Sequence, residues 1–242
     1  MQTNSLVVIP TYNEKENAEK IIRKVFSLEM PFHILIVDDN SPDGTAVIVK
    51  NLQQEFPGRL HLIEREGKLG LGTAYITAFR WGIAHNYDYI LEMDADFSHN
   101  PEDLPRLCLA CRDGAGLAIG SRYCQGISVI NWPIGRVIMS YYASTYVRTV
   151  LQMKVYDCTA GFVCYRREVL EAIDLDCIRM KGYGFQIEMK YNAYKLGYKV
   201  VEVPIIFVDR TEGTSKMSSG IFGEAFWGVL RMRLRKITRA KQ

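Results

Sequence analysis

No run of this 242-residue chain reaches the roughly 18 consecutive apolar residues needed to span a bilayer, which argues against a membrane-crossing helix. A secretory leader is missing too: after Met1-Gln2-Thr3-Asn4-Ser5 the chain runs straight into a short strand. Disulfides are therefore not expected, and the six cysteines (Cys108, Cys111, Cys124, Cys158, Cys164, Cys177) read as reduced thiols of a cytoplasmic protein. Cys108 and Cys111 have the spacing of half a zinc site, but no second cysteine pair or histidine pair completes a tetrahedral set, so they read as small core residues of a helix. Charge of one sign is not in excess either. With 30 Lys and Arg against 27 Asp and Glu the net charge is +3, so the molecule as a whole is no polyanion binder. Two nucleotide-binding fingerprints are also absent. The first strand leads into Pro10-Thr11-Tyr12-Asn13-Glu14 rather than Gly-x-Gly-x-x-Gly, Gly70-Leu71-Gly72 lacks the third glycine, and no Gly-x-x-x-x-Gly-Lys-Ser/Thr occurs. These absences exclude a dinucleotide-binding enzyme and a P-loop enzyme.

What is present is the composition of a folded globular protein, 48% apolar and 24% charged, long enough for a sizeable core. Strand and helix signals alternate from the start. Residues 5–9 form a β-branched run stopped by Pro10, Asn13 offers a helix cap, and residues 15–28 carry apolar side chains at helical spacing (Ala18, Ile21, Ile22, Val25). Residues 33–37 read as a second strand, ended by the turn-rich stretch Asp38-Asp39-Asn40-Ser41-Pro42-Asp43-Gly44. A helix to about residue 56, a strand over 60–64, a helix over 72–86 and a strand over 89–93 follow. This alternation implies right-handed crossovers and a mostly parallel sheet flanked by helices, an α/β fold. The loops at 10–14, 38–43, 65–72 and 94–96 then gather along one sheet edge, where such folds bind ligands.

In the last of these loops Asp94-Ala95-Asp96 sets two carboxylates at the end of a strand. Adjacent acids in an apolar setting repel unless something positive lies beside them. One reading is a divalent cation, Mg²⁺ or Mn²⁺, carrying a nucleotide diphosphate. The other is a pair of turn aspartates capping the next helix.

Nine motifs then occur in order: Pro10-Thr11-Tyr12-Asn13-Glu14; Val37-Asp38-Asp39-Asn40-Ser41-Pro42-Asp43-Gly44-Thr45; Arg65 with Lys68-Leu69-Gly70-Leu71-Gly72; Asp94-Ala95-Asp96-Phe97-Ser98-His99; Gly120-Ser121-Arg122-Tyr123; Trp132-Pro133 with Arg136; Asp157-Cys158-Thr159-Ala160-Gly161-Phe162; Phe185-Gln186-Ile187-Glu188; and Arg210 with Ser215-Lys216. With them, from residue 7 to about 216, the chain resembles the inverting family 2 glycosyltransferases of the GT-A (Rossmann-like) fold, and among these the polyprenol-phosphate mannose synthases. The resemblance implies transfer of mannose from GDP-mannose to a polyprenyl (dolichyl) phosphate. It assigns Pro10, Tyr12, Glu14, Val37 and Asp39 to the guanine and ribose, and Lys68 to the nucleotide and its phosphates. Asp94, Ala95 and Asp96 would hold the diphosphate and its metal, with Asp96 the direct ligand. Ser98 stands where some members carry a metal-binding glutamine, a departure toward a shorter and weaker oxygen donor. Arg122, Arg136 and Arg210, with Lys216 assisting, would position the acceptor phosphate. Asp157, Gln186 and Glu188 would line the sugar pocket, although Glu188 also fits a solvated helix face.

The resemblance assigns a GT-A domain to residues 1–216. Residues 217–242 read as a basic amphipathic helix. From Arg231 onward there are six basic residues (Arg231, Arg233, Arg235, Lys236, Arg239, Lys241) and no acidic one, while Phe222, Phe226, Val229, Leu230, Leu234 and Ile237 fall near one helical face. Such a helix can lie in a headgroup plane, as can residues 132–153, giving a peripheral protein on the cytosolic face of a membrane. Packing of these faces on the body, or docking onto a small membrane-embedded subunit, are the alternatives. No nucleic-acid-binding fold accompanies the basic end, so no nucleic-acid partner is expected. UDP-glucose or another sugar nucleotide as donor, and a silent sugar-nucleotide-binding adaptor, are the competing functions.

Overall fold

A computed structural model of the chain describes residues 4–209, 220–237 and 239–240, and only the backbone of 220–225. In chain order the elements are β1 (Ser5–Thr11), α1 (Lys15–Phe26), β2 (His33–Asp38), α2 (Thr45–Glu55), β3 (Leu60–Glu64), α3 (Leu71–Ala84), β4 (Tyr89–Glu92), α4 (Leu104–Arg112), β5 (Leu117–Ser121), β6 (Val129–Ile130), α5 (Ile134–Leu151), β7 (Val163–Arg166), α6 (Arg167–Ala172), α7 (Tyr183–Lys195), β8 (Val200–Pro204), β9 (Phe207–Val208) and α8 (Gly220–Leu234). Seven strands form one sheet in the order β3-β2-β1-β4-β7-β5-β8, and β6 pairs with β9 beside it. All main-sheet pairings are parallel except those of β7, which runs antiparallel to both β4 and β5.

The chain steps outward from β1 to β2 and β3, then returns to lay β4 on the other side of β1. That reversal opens a crevice beyond the carboxyl ends of β1 and β4, the usual ligand position of such sheets. Strand alternation supplies a core on each face. Leu6, Val8, Leu35 and Val37 point to one side, against Tyr75 and Phe79 of α3 and Phe185 and Met189 of α7. Val7, Ile9, Ile34 and Ile36 point to the other, against Ile21 and Ile22 of α1, Val49 of α2 and Leu107 of α4. Burying each such side chain contributes roughly 1.5–3 kcal/mol, which is why these strands are apolar on both faces.

Two local expectations need correction. Strand β1 does not stop at Pro10 but runs through it to Thr11. Val8 O accepts from Met93 N on the β4 side, so Pro10, two residues on, also turns its ring nitrogen to that side, where β4 has already ended. Asn13 does not cap α1. The helix begins after Glu14 with no side-chain cap of its own, and its entry is tied from the β2–α2 turn. Asn13 N donates to Ser41 Oγ (2.9 Å), Glu14 N to Thr45 Oγ1 (3.1 Å) and Lys15 N to Asp43 Oδ2 (3.0 Å).

At the other end, α8 packs on the body through Val229, which belongs to the face read from the sequence, and through Met232, which does not; both are buried. Phe226, Trp227 and Leu234 stay exposed. Part of the basic set turns inward: Arg235 Nη1 donates to buried Glu188 Oε1 (2.7 Å) and its Nη2 to Cys177 O (2.8 Å). All six cysteines are free thiols, with Cys108 and Cys111 buried on α4. Among the described residues no helix is long and apolar enough to cross a membrane.

Candidate active site

A cavity of about 430 Å³ occupies the crevice beyond β1 and β4. Tyr12, Glu14, Asp39 and Lys68 line one side, Asp94, Ala95 and Asp96 the middle, and Thr159, Ala160, Gly161 and Gln186 the other side; Arg122, Trp132 and Arg136 complete it. Close approach shapes this space. A side chain at Gly120 would set its Cβ 2.6 Å from the Phe162 ring, so only glycine lets β5 lie against that ring.

On the first side, neighbouring acids divide their work. Asp38 accepts from Thr11 Oγ1 (2.7 Å), Ser41 N (2.8 Å) and Ser41 Oγ (2.6 Å), so it is the residue that builds the turn. That leaves Asp39 to line the cavity, where Arg65 Nε donates to its Oδ1 (2.6 Å). Lys68 holds its ammonium 4.8 Å from the centre of the Tyr12 ring, a cation–π contact that carries positive charge over an aromatic face. Pro10 and Glu14 also line the cavity. Val37 does not: its side chain is fully buried in the core, because strand alternation turns it into the sheet face.

In the middle, the helix-capping reading of the acidic pair fails. The next helical turn, over Pro101–Asp103, is capped by Asn100, whose Oδ1 accepts from Glu102 N (3.1 Å). Asp96 instead closes a tight local turn, with Oδ1 accepting from both Ser98 N (3.0 Å) and Ser98 Oγ (2.6 Å). The buried Ser98 hydroxyl thus orients Asp96. His99 supports the pair from below, stacked on Phe162 at 4.8 Å and accepting from Asp94 N at Nδ1 (3.3 Å). Burial pushes its imidazole down to about 4, aided by Arg122 and opposed by Asp96, so it is neutral with the proton on Nε2. A neutral ring 3.9 Å from Asp94 Oδ2 makes no ion pair there.

Asp94 and Asp96 offer hard oxygen donors, and among the described residues no group of three or more His, Cys, Asp or Glu could enclose a metal. A pair of carboxylates at an open cavity fits Mg²⁺ or Mn²⁺, which complete their shells with phosphate oxygens and water. It does not fit zinc, whose sites take three or four protein ligands, chiefly histidine and cysteine.

The arginines are less free than their motifs suggest. Arg122 is nearly enclosed: Nε and Nη2 each donate to Asp157 (both 2.7 Å), and Nη2 also donates to Thr159 Oγ1 (2.9 Å). Burial pulls the guanidinium down, but the Asp157 carboxylate more than reverses this and raises it. Asp157 is itself fully buried, with both Tyr156 N (2.8 Å) and Asp157 N (2.9 Å) donating to Glu202. So Asp157 anchors a loop and does not line the cavity. Arg136 keeps more freedom. Its Nη1 donates to both oxygens of Asp209 (2.9 and 3.0 Å), its guanidinium lies 4.1 Å from the Trp132 ring centre, and Nε and Nη2 have no hydrogen-bond partner among the described residues. Arg210, Ser215 and Lys216 lie outside the described residues. Glu188 is neither at the cavity nor on a solvated face: it is buried, accepting from Arg179 N (2.9 Å) and Met180 N (2.8 Å) and paired with Arg235.

Beneath the cavity lies a group of buried polar side chains that no motif announced. Lys190 is fully buried on α7, and Glu92 at the end of β4 is fully buried as well. Burial raises the Glu92 carboxyl and lowers the Lys190 ammonium, and each partly offsets the other. Both Glu92 oxygens, the Tyr75 and Tyr165 hydroxyls and Gln186 Nε2 have no hydrogen-bond partner among the described residues. The Gln186 amide does favour the Glu92 carboxylate electrostatically, although the two lie outside hydrogen-bond geometry. A helix buried on every side hides such a residue from periodicity; the one signal was a lysine within Phe185-Gln186-Ile187-Glu188-Met189-Lys190-Tyr191.

Comparison with known proteins adds ancestry to this geometry. The model of glycosyl transferase family 2 matches residues 6–174. The chain is 48% identical over 238 residues to the polyprenol monophosphomannose synthase of Mycolicibacterium smegmatis, covering 98% of this chain and 90% of that protein. It is 47% identical over 229 residues to the undecaprenyl-phosphate mannosyltransferase of Micrococcus luteus, covering 95% and 93%. Among solved structures it is similar to glucosyl-3-phosphoglycerate synthase of Mycobacterium tuberculosis in complex with Mn²⁺, UDP-glucose and phosphoglyceric acid. That likeness has a TM-score of 0.69 at 19% identity, with 95% of this chain and 79% of the other covered, and it bears on the fold alone.

Proposed function

The chain belongs to glycosyl transferase family 2, and from that premise we propose that it transfers mannose from GDP-mannose to a polyprenyl phosphate with inversion at the anomeric carbon. The observation that carries this reading is one cavity in which an acidic pair, an aromatic–lysine contact and an arginine beside an apolar helix meet. The two relatives named above, both acting on polyprenyl phosphates by name, supply the substrate class.

In this reading the nucleoside lies against Tyr12, Glu14 and Asp39, whose carboxylates accept from base N–H and ribose hydroxyl groups. Lys68 meets the phosphates. Asp94 and Asp96 are the residues that would hold Mg²⁺ or Mn²⁺, and such an ion would supply positive charge against the departing nucleoside diphosphate. Ser98 and His99 keep that acidic loop in shape. The hexose then falls toward Ala160, Gly161 and Gln186.

The acceptor phosphate has its second pKa near ~6, so it is largely dianionic at neutral pH and attacks without a general base. Its need is for orientation against another anion. Arg136 meets that need with the Nε and Nη2 edge left by Asp209, while Arg122, locked to Asp157, contributes fixed positive charge. Attack opposite the leaving group passes through an oxocarbenium-like transition state and inverts the centre.

The isoprenoid tail calls for an apolar surface close to Arg136. Helix α5 exposes Ile134 (74%), Ile138 (50%), Met139 and Tyr142 (65%) within two turns of it, and α8 adds Phe226 and Trp227. These faces suit a peripheral seat on a cytosolic membrane leaflet. The test incubates the protein with Mn²⁺ or Mg²⁺, polyprenyl phosphate and each labelled sugar nucleotide in turn. The expected product is a β-mannosyl lipid from GDP-mannose. Label from UDP-glucose alone defeats the mannose assignment, and no lipid-linked sugar from any donor defeats the transferase reading.

A further inference from the structure

Lys190 donates from Nζ to three oxygens: Ala160 O (2.6 Å), Gln186 O (3.2 Å) and Gln186 Oε1 (3.4 Å). An ammonium has three N–H donors, so this set uses all of them. The acceptors belong to two residues on separate elements, Gln186 in the first turns of α7 and Ala160 in the loop before β7, and both line the cavity. Burying an ammonium is costly, and an apolar side chain of similar length fills the same space at less cost. A packing role therefore does not account for it, whereas a three-way tether does.

From this we propose that Lys190 is a positioning residue for the sugar half of the donor, fixing the Gln186 amide and the Ala160–Gly161 backbone as the surface that reads the hexose. The inference rests on reading the cavity as a sugar-nucleotide site, but not on which sugar occupies it. Sheet order gives the direction. The strand-end loops of β1, β2 and β3 lie to one side of Asp94 and Asp96, while β7, with Ala160 and Gly161 in the loop before it, lies to the other, and Lys190 ties Gln186 to that loop. A diphosphate held at the two acids thus sends its base one way and its hexose toward Gln186. With Oε1 drawn to Lys190, the amide orientation is fixed. Gly161 sits beside it, with 3.8 Å between Gln186 Nε2 and the position a Gly161 Cβ would take. Glu92, two residues before Asp94, is fully buried as well. Its opposite charge is the largest favourable influence on Lys190, followed by that of Asp157.

The test separates hexose reading from stability. Lys190→Met keeps the length and removes the donors, but leaves the Glu92 charge without its counterpart. The double variant Glu92→Gln/Lys190→Met removes both charges and guards against simple misfolding. With Mn²⁺ present, calorimetry compares binding of GDP with that of GDP-mannose, and steady-state assays compare GDP-mannose with GDP-glucose. In the double variant GDP binding should stay within about twofold of wild type. GDP-mannose affinity should fall about tenfold, and the kcat/KM preference between the two sugars should shrink by a similar factor, the scale of one lost positioning interaction. Lys190→Gln, which retains an amide donor, should recover part of that preference.

A folded double variant with wild-type affinity for GDP-mannose and unchanged sugar preference overturns the proposal. Parallel weakening of GDP and GDP-mannose overturns it as well, because that pattern marks a residue holding the whole fold. A wild-type protein with no preference for GDP-mannose would instead count against the mannosyltransferase reading. The donor it does use then replaces GDP-mannose in the same comparison.

Discussion

Replacing Asp157 with asparagine tests the buried frame under the cavity. The substitution keeps the shape and one acceptor but removes the charge that Arg122 was buried against. In the folded protein Asp157 receives three bonds from Arg122: backbone N (3.0 Å), Nε (2.7 Å) and Nη2 (2.7 Å). The carboxylate is 0% exposed and the arginine side chain 7%, so water cannot take over. Breaking such a pair from one side costs about 3–5 kcal/mol, since the remaining charge stays buried and alone. For a chain of this size each kcal/mol lowers Tm by about 2–4 °C, which gives a fall of about 6–20 °C. Thermal unfolding by circular dichroism reads it directly. A double cycle with Arg122→Met should show the two losses overlapping by at least about 2 kcal/mol. The pH dependence has a definite sign. Burial alone would raise the Asp157 carboxyl, but Arg122 more than reverses this and holds it below the ordinary aspartate value of 3.8. The pair's stabilisation is therefore present above about pH 4 and lost as pH falls below it. A Tm for Asp157→Asn within 2 °C of wild type, the scale of about 1 kcal/mol or less, would refute the argument.

Three further outcomes follow from the geometry. Asp96→Asn should leave the fold intact yet lower metal-dependent transfer about 10³-fold, with Mn²⁺-dependent GDP binding lost in calorimetry; retained transfer rejects Asp96 as the metal carboxylate. His33 and His61 flank the Tyr87 hydroxyl (2.7 and 3.4 Å), and burial lowers both below the ordinary histidine value of 6.5. Because the unfolded chain takes up protons first, stability should be whole above about pH 7 and decline as pH falls below 6.5, more steeply in wild type than in His61→Phe, as followed by Tm. On the exposed face of α5, Ile138→Glu with Tyr142→Glu should raise KM for polyprenyl phosphate about tenfold and weaken binding to anionic vesicles, with Tm and GDP affinity unchanged. Unaltered vesicle binding removes this face from the membrane reading.

Much of the fold was legible because its signals are local. Strand β3 falls where periodicity sets it, α1 and α3 differ from expectation by at most two residues at each end, and α2 ends one residue before its expected end. The convergence of the loops after β1, β2, β3 and β4 was also legible, since parallel strands joined by crossovers must bring those ends to one edge. Hence Tyr12, Asp39, Lys68, Asp94 and Asp96 could be brought together from sequence alone. Sequence reasoning missed elsewhere for identifiable reasons. Asn13 looked like a cap, but the capping groups came from another turn. Val37 was grouped with the site by its neighbours in the motif, although a strand sends adjacent side chains to opposite faces. The C-terminal helix was assigned one apolar face by periodicity, whereas contact with the body took Val229 from that face, added Met232 and left Phe226 and Leu234 exposed.

The sequence by itself determined the order of elements, the edge at which ligands gather and the acidic pair in the middle of it. Each of these follows from residues close together in the chain. Only the tertiary structure decided which charged groups remain available for chemistry. Arg122 and Arg136 sit in equivalent motifs, yet one is clamped by Asp157, 35 residues on, and the other, beside Asp209, 73 residues on, has no partner for Nε and Nη2 among the described residues. Lys190 reads as an ordinary helix lysine until the fold closes around it and hands it Ala160, 30 residues away. Charge is written in the sequence, but its partner and its access to water are set by distance in space.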